Sequence, residues 1–163
     1  LKKKLDSVRS KADDTGKEEK SPETGEKAAK QAPKETAKGK MDKEAAYAAA
    51  YDEFKAGRYE KARTRFQDFL KQYPKTEYSA NAQFWIGECY YFEKNYEKAV
   101  LEYDKVIKKY PDGDKVPSAL LKQGLSFLKL GDKVSARIVL ERVIKDYPNT
   151  SQSRTARATL AKF

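Results

Sequence analysis

Asn81, Phe84, Trp85, Glu88 and Phe92 follow one another in steps of three or four residues, with Phe84 and Trp85 adjacent. That spacing puts side chains on one face of a helix. The chemistry open to such a set is recognition: rings that bury area against a partner, with an amide and a carboxylate to orient it. Covalent chemistry finds little support. The chain of 163 residues contains no histidine, which removes the commonest general base and metal ligand. Its one cysteine, Cys89, can close no intrachain disulfide and has no second thiol or imidazole for a zinc site. No glycine-rich phosphate loop or nucleophile elbow occurs. No enzymatic activity, metal or cofactor is expected, and Cys89 reads as a small, partly buried helix residue.

The elements that position these residues come from the rest of the composition. All 19 aromatic residues lie beyond residue 41. Residues 1–41 hold only Leu1, Leu5, Val8 and Met41 as large apolar side chains. A segment so poor in apolar surface cannot offset about 1–2 kcal/mol of backbone entropy per ordered residue. It reads as a flexible tail or linker, with Leu1, Leu5 and Val8 spaced to suit the end of a coiled coil. The net charge is +10, but lysines and arginines alternate with acids, as in Lys94-Asn95-Tyr96-Glu97-Lys98. Mixed charge of this kind coats a solvated helix face, and no nucleic-acid partner is expected. No apolar run approaches the roughly 18 residues of a membrane span, so no direct membrane insertion is expected. The chain opens on Leu1 rather than Met, which suggests a processed product or an excised piece.

Residues 42–163 repeat themselves. Tyr73-Pro74, Tyr110-Pro111 and Tyr147-Pro148 are spaced by 37 residues. The same offset links Ala62, Ala99 and Ala136, then Phe66, Tyr103 and Leu140, then Phe69, Val106 and Val143. It links Gly87 to Gly124, with Ala50 before and Ala161 after, and it links Ala45, Ala82, Ala119 and Ala156. Each unit reads as two helices. In the middle unit Tyr96, Ala99, Val100, Tyr103, Val106, Ile107 and Tyr110 make one apolar face. Breakers at Gly57-Arg58, Lys94-Asn95 and Gly131-Asp132 separate the helices of a pair, with Asn95 and Asp132 as N-caps. Prolines 74, 111 and 148 end the second helices, and Pro117 opens a first helix. Mid-helix Gly87 and Gly124 predict close helix approach, opposite Ala99 and Ala136.

Small residue, alanine twelve later, large apolar residue four later and proline eight further on is the tetratricopeptide (TPR) scheme. The expected fold is all-α: a TPR-like right-handed α-solenoid of three helix pairs plus a short C-terminal capping helix, preceded by a disordered tail. Repeats are expected at about 42–78, 79–115 and 116–152, with the cap at 153–163. In such arrays the first helices line a concave groove. By resemblance to TPR proteins the groove-facing, partner-binding slots hold Tyr47, Tyr51, Asn81, Phe84, Trp85, Glu88, Phe92 and Lys122. Taken singly, most of these residues read as core between adjacent repeats, with Trp85 and Phe92 open to either role. A groove of aromatics and Glu88 does not suit capture of a C-terminal carboxylate by paired Lys and Asn.

Three motifs narrow the likeness: Tyr51 through Pro74 ending in Phe-Leu-x-x-Tyr-Pro; Asn81 through Tyr91; and Ala119 through Ser126 followed by Leu130-Gly131-Asp132-Lys133. Together they resemble the C-terminal TPR domain of the Tol–Pal-associated cell division coordinator (CpoB, or YbgF) family. That resemblance implies a non-enzymatic periplasmic scaffold that binds the Tol energy-transducing protein and a bifunctional peptidoglycan synthase. Its role would be to link wall synthesis to outer-membrane constriction at the septum. It also implies a homotrimer built on an N-terminal coiled coil, with the present chain, which lacks most of that coil, monomeric. The alternative is another envelope TPR adaptor, such as an outer-membrane assembly lipoprotein.

Overall fold

A computed structural model describes residues 42–163. The expected linker over 1–41 and the coiled-coil end at 1–8 lie outside the described residues. The chain divides into two units, 1–48 and 49–163. In the first, Asp42 caps the opening of helix α1 (Lys43–Lys55), its Oδ1 accepting from the Ala45 amide at 2.8 Å. Among the described residues there are seven helices and no strand: after α1 come α2 (Tyr59–Gln72), α3 (Ser79–Phe92), α4 (Tyr96–Lys109), α5 (Val116–Lys129), α6 (Lys133–Asp146) and α7 (Ser151–Leu160). The fold is the all-α, TPR-like solenoid that the repeat predicts. The helix bounds themselves obey the period, since α3 and α5, and likewise α2, α4 and α6, start and stop 37 residues apart.

The repeat columns are the core. Ala50, Ala62, Ala82, Ala99, Ala119, Ala136 and Ala156 are all fully buried, as are Phe66, Tyr103 and Leu140. Each fully buried large side chain contributes about 1.5–3 kcal/mol. Packing runs from each helix to the next from α2 through α7, and α5 also meets α7. The column ends differ: Ala45 and Ala161 are exposed.

Gly87 corrects one expectation. The close neighbour is the ring of Tyr103, not Ala99: a Cβ on Gly87 would lie 2.7 Å from Tyr103 Cδ1 and Cε1. At Gly124 a Cβ would meet Leu140 Cδ2 at 2.7 Å, with the Ala136 carbonyl further off at 3.7 Å. A helix turn without a side chain is what lets the largest residue of the facing helix lie flat against it.

The breakers work as their residue types require. Gly57 and Gly131 take φ of +80° and +82°, the left-handed cap conformation that glycine adopts without penalty. Lys94 fills the same slot at φ 65°. Asn95 accepts from the Lys98 amide at 3.3 Å and Asp132 from the Ser135 amide at 3.0 Å. That backbone hydrogen bond holds the Asp132 carboxyl below its usual range. Arg58, in the matching slot, offers no cap and instead pairs with Glu53. Pro117 stands at the second position of α5, one residue later than expected.

Polar side chains tie neighbouring helices together, both within a repeat and between repeats. The Tyr110 hydroxyl donates to the Pro74 carbonyl at 2.9 Å, joining two loops. Gln83 Nε2 of α3 donates to the Glu102 carbonyl at 3.1 Å and to Glu102 Oε1 at 2.8 Å. From the other side, Gln123 Nε2 of α5 donates to the Val100 carbonyl at 3.1 Å.

Candidate functional site

The first helices carry a continuous aromatic cluster. Phe54 of α1 is its hub, with ring centroids 5.0 Å from Trp85, 5.5 Å from Tyr59 and 5.9 Å from Phe92. Trp85 lies 5.1 Å from Tyr51 and 5.4 Å from Phe84. Phe92 stacks on Tyr59 at 5.6 Å and meets Tyr91 at 5.7 Å. Such pairs contribute about 0.5–1.5 kcal/mol each beyond their buried area. The cluster forms because slots one turn apart on α1 and α3 hold rings in both repeats, so that neighbouring repeats meet ring to ring.

Three lysine ammoniums sit over these rings. Lys55 Nζ is 5.2 Å from the Tyr51 centroid, and Lys115 Nζ is 5.1 and 5.4 Å from those of Phe84 and Trp85. Lys122 Nζ is 3.8 Å from Tyr91 and 5.4 Å from Phe92. A cation over a ring face is worth about 0.5–1 kcal/mol at an exposed site and more when water is excluded. Lys122 also pairs with Glu88 Oε1 at 3.5 Å, and the same oxygen accepts from the Tyr103 hydroxyl. Burial and the nearby Glu88 charge push the Tyr103 hydroxyl well above its usual range, so it stays a donor. Burial likewise raises the Tyr91 hydroxyl.

The eight residues expected on the groove divide by burial. Trp85, Tyr51, Asn81 and Lys122 are half-buried on α1, α3 and α5, and Phe92 is 47% exposed at the end of α3. Tyr47 is half-buried in the first half of α1, within the 1–48 unit. Phe84 and Glu88 differ from the expectation of open, groove-facing positions: they are 5% and 8% exposed. Phe84 is drawn inward by the Tyr103 ring at 5.7 Å, and Glu88 by its hydrogen bond to Tyr103 and its pairing with Lys122. Tyr59 and Lys115 are among the participants outside the eight expected residues. Tyr59 belongs to the second helix of its pair, where periodicity assigns it to the other face. Lys115 stands in the loop before α5, where no periodicity applies.

Cys89 is fully buried rather than partly so, and burial pushes its thiol up to about 12. It carries no reactive thiolate near neutral pH. On the second helices Leu101, Val134 and Ile138 are more than half exposed. No helix among the described residues is long and apolar enough to cross a membrane.

Known proteins resemble this chain in sequence and in structure. Residues 39–163 match the YfiO family, described as outer membrane lipoprotein. The cell division coordinator CpoB of Pseudomonas putida is 45% identical over 42 residues, 26% of this chain. The matched stretch spans 16% of that curated relative's length. PcrH of Pseudomonas aeruginosa superposes with a TM-score of 0.64 at 20% identity, covering 74% of this chain and 89% of PcrH. SycD, the type III secretion chaperone of Yersinia enterocolitica, solved in complex with a peptide of the translocator YopD, gives 0.62 at 18% identity over 73% and 86% of the two chains. The TPR domain of Arabidopsis OM64 gives 0.61 at 16% identity over 74% and 94%. At these identities the likeness is one of fold.

Proposed function

This chain belongs to the YfiO outer membrane lipoprotein family, and we propose that it is a non-enzymatic protein-binding scaffold of the bacterial envelope. The observation that carries the reading is the aromatic face itself: Tyr51, Trp85, Tyr91 and Phe92 stay partly or largely exposed while forming one ring-to-ring surface. Rigid aromatic anchors supply most of the binding energy at protein interfaces, and repeat solenoids present such surfaces along their first helices. The likeness to the cell division coordinator supports a finer form. In that form the chain works in the periplasm and takes the Tol energy-transducing protein and a bifunctional peptidoglycan synthase as partners, linking wall synthesis to outer-membrane constriction. A pull-down of the periplasmic part of the Tol protein by this chain tests it. Retention that is lost in Phe92→Ala is the expected result; equal retention by Phe92→Ala would place the contact off this face.

A second reading is favoured by the family's own description. An outer membrane lipoprotein is held by an acylated N-terminal cysteine, and an assembly adaptor of that kind would be the alternative member of the same fold. Metabolic labelling of the full-length gene product with an alkyne fatty acid separates the two: incorporation supports the lipoprotein adaptor, and its absence supports the soluble coordinator.

A further inference from the structure

Of the three ammoniums over the aromatic face, two are already ion-paired. Lys55 meets Asp52 at 3.5 Å and Lys122 meets Glu88 at 3.5 Å. Lys115 has no carboxylate within ion-pair distance among the described residues, yet its Nζ is held over the Phe84 and Trp85 rings. Glu88, the acid inside this set, is buried and bonded by Tyr103 and Lys122, so it offers no negative charge outward. Among the described residues, the accessible face is therefore aromatic with an uncompensated cation at the Trp85 level and an open ring, Phe92, seven residues further along α3.

Resting on the proposed binding role of this face, we infer that its partner is an extended peptide segment with an acidic side chain near an aliphatic or aromatic anchor. The carboxylate would meet Lys115 and the anchor would cover Phe92. Seven helical residues advance about 10 Å, which an extended chain spans with about three residues. The acid and the anchor are thus set about three positions apart. Charge of the opposite sign at this point sets partner choice and register more than total affinity.

Panning a random dodecapeptide phage library on the full chain tests this, followed by fluorescence anisotropy with the selected peptides. Enriched sequences should carry Asp or Glu about three residues from Leu, Phe, Tyr or Trp. Binding should weaken about tenfold in Lys115→Glu, where attraction becomes repulsion, and stay within about twofold in Lys115→Arg. Phe92→Ala should also weaken it, and Ile138→Asp on α6 should not. Unchanged helical circular dichroism shows that each variant is folded. Enrichment of basic or uncharged peptides that still depend on Phe92, or indifference to Lys115→Glu, overturns the acidic-segment inference alone. Enrichment of nothing, or of peptides that lose binding only in Ile138→Asp, overturns the proposed binding face itself.

Discussion

Trp85 and Lys122 stand 37 residues apart in the same slot of successive repeats, and each covers the ring presented by the repeat before it. Trp85 lies on Phe54 at 5.0 Å and Lys122 on Tyr91 at 3.8 Å, and Phe54 and Tyr91 are themselves equivalent positions. The slot is thus a joint between repeats, filled by an indole in one case and an ammonium in the other. The joint fixes which aromatic residues are committed to stacking and which stay exposed.

Trp85→Ala should therefore cost stability. Loss of contacts with Tyr51, Phe54 and Phe84 is expected to lower unfolding free energy by about 2 kcal/mol, less than the 3–5 kcal/mol of a fully buried ring. Phe92→Ala, at an exposed ring, should cost under about 1 kcal/mol while removing partner binding. Urea melts beside binding measurements check both. A Trp85→Ala variant as stable as the parent would show that the indole contributes nothing to the joint.

Gly87→Ala should destabilise despite the better helix propensity of alanine. The new methyl would overlap the Tyr103 ring, which is fully buried and pinned by its hydroxyl bond to Glu88. An overpacking cost of about 1–3 kcal/mol exceeds the propensity gain of about 1 kcal/mol. Thermal melts of Gly87→Ala, Tyr103→Ala and the double variant provide the check: with the ring gone the new methyl meets no clash, so the double variant should lose less stability than the two single losses added together.

Lys94→Gly should raise stability. A non-glycine residue in the left-handed region costs about 1–2 kcal/mol, and the extra entropy that a glycine gives the unfolded chain takes back only about 0.4–1 kcal/mol. A net gain of roughly 0.5–1 kcal/mol follows, visible as a higher denaturant midpoint. An unchanged or lower midpoint would mean that the Lys94 side chain contributes contacts that outweigh the backbone strain.

Alkaline pH should unfold the chain through two buried acids. Cys89 is raised to about 12 from an ordinary value of 9.0, first by burial, and Tyr103 is raised above its ordinary 10.0 for the same first reason. In each the neutral form is favoured when folded, so the stability is complete below the unfolded value and is lost as pH rises past it. Stability should be flat near neutrality and fall between about pH 9 and 12, less steeply in Cys89→Ala. The same burial predicts slow alkylation of Cys89 in the folded chain and fast alkylation in denaturant. Rapid native alkylation would contradict the buried placement.

Most of this fold is legible in residue spacing because each repeat writes the same instructions in the same places. Alanine and glycine columns mark where helices touch, and prolines mark where they stop. Recognition is less legible, for a physical reason seen at Phe84 and Glu88. Helical periodicity places a residue on a face but not at a depth, and depth depends on what arrives from the neighbouring helix. Tyr103 supplies both a ring for Phe84 and a hydroxyl for Glu88, and it comes from α4. Lys115 shows the opposite gap. It stands outside any helix, so its place over the Trp85 ring follows from the loop path alone.

The two glutamines that grip α4 have a kinetic meaning. Gln83 and Gln123 reach the same short stretch of backbone from helices on opposite sides, so α4 cannot detach without breaking bonds to both neighbours. In a one-dimensional array, opening proceeds where the nearest-neighbour coupling is weakest. The chain should fray from its flanks and keep α3, α4 and α5 as the last folded block. Native-state hydrogen exchange would then find the slowest amides in α4, and the exposed rings of α3 anchored on the part of the molecule that opens least often.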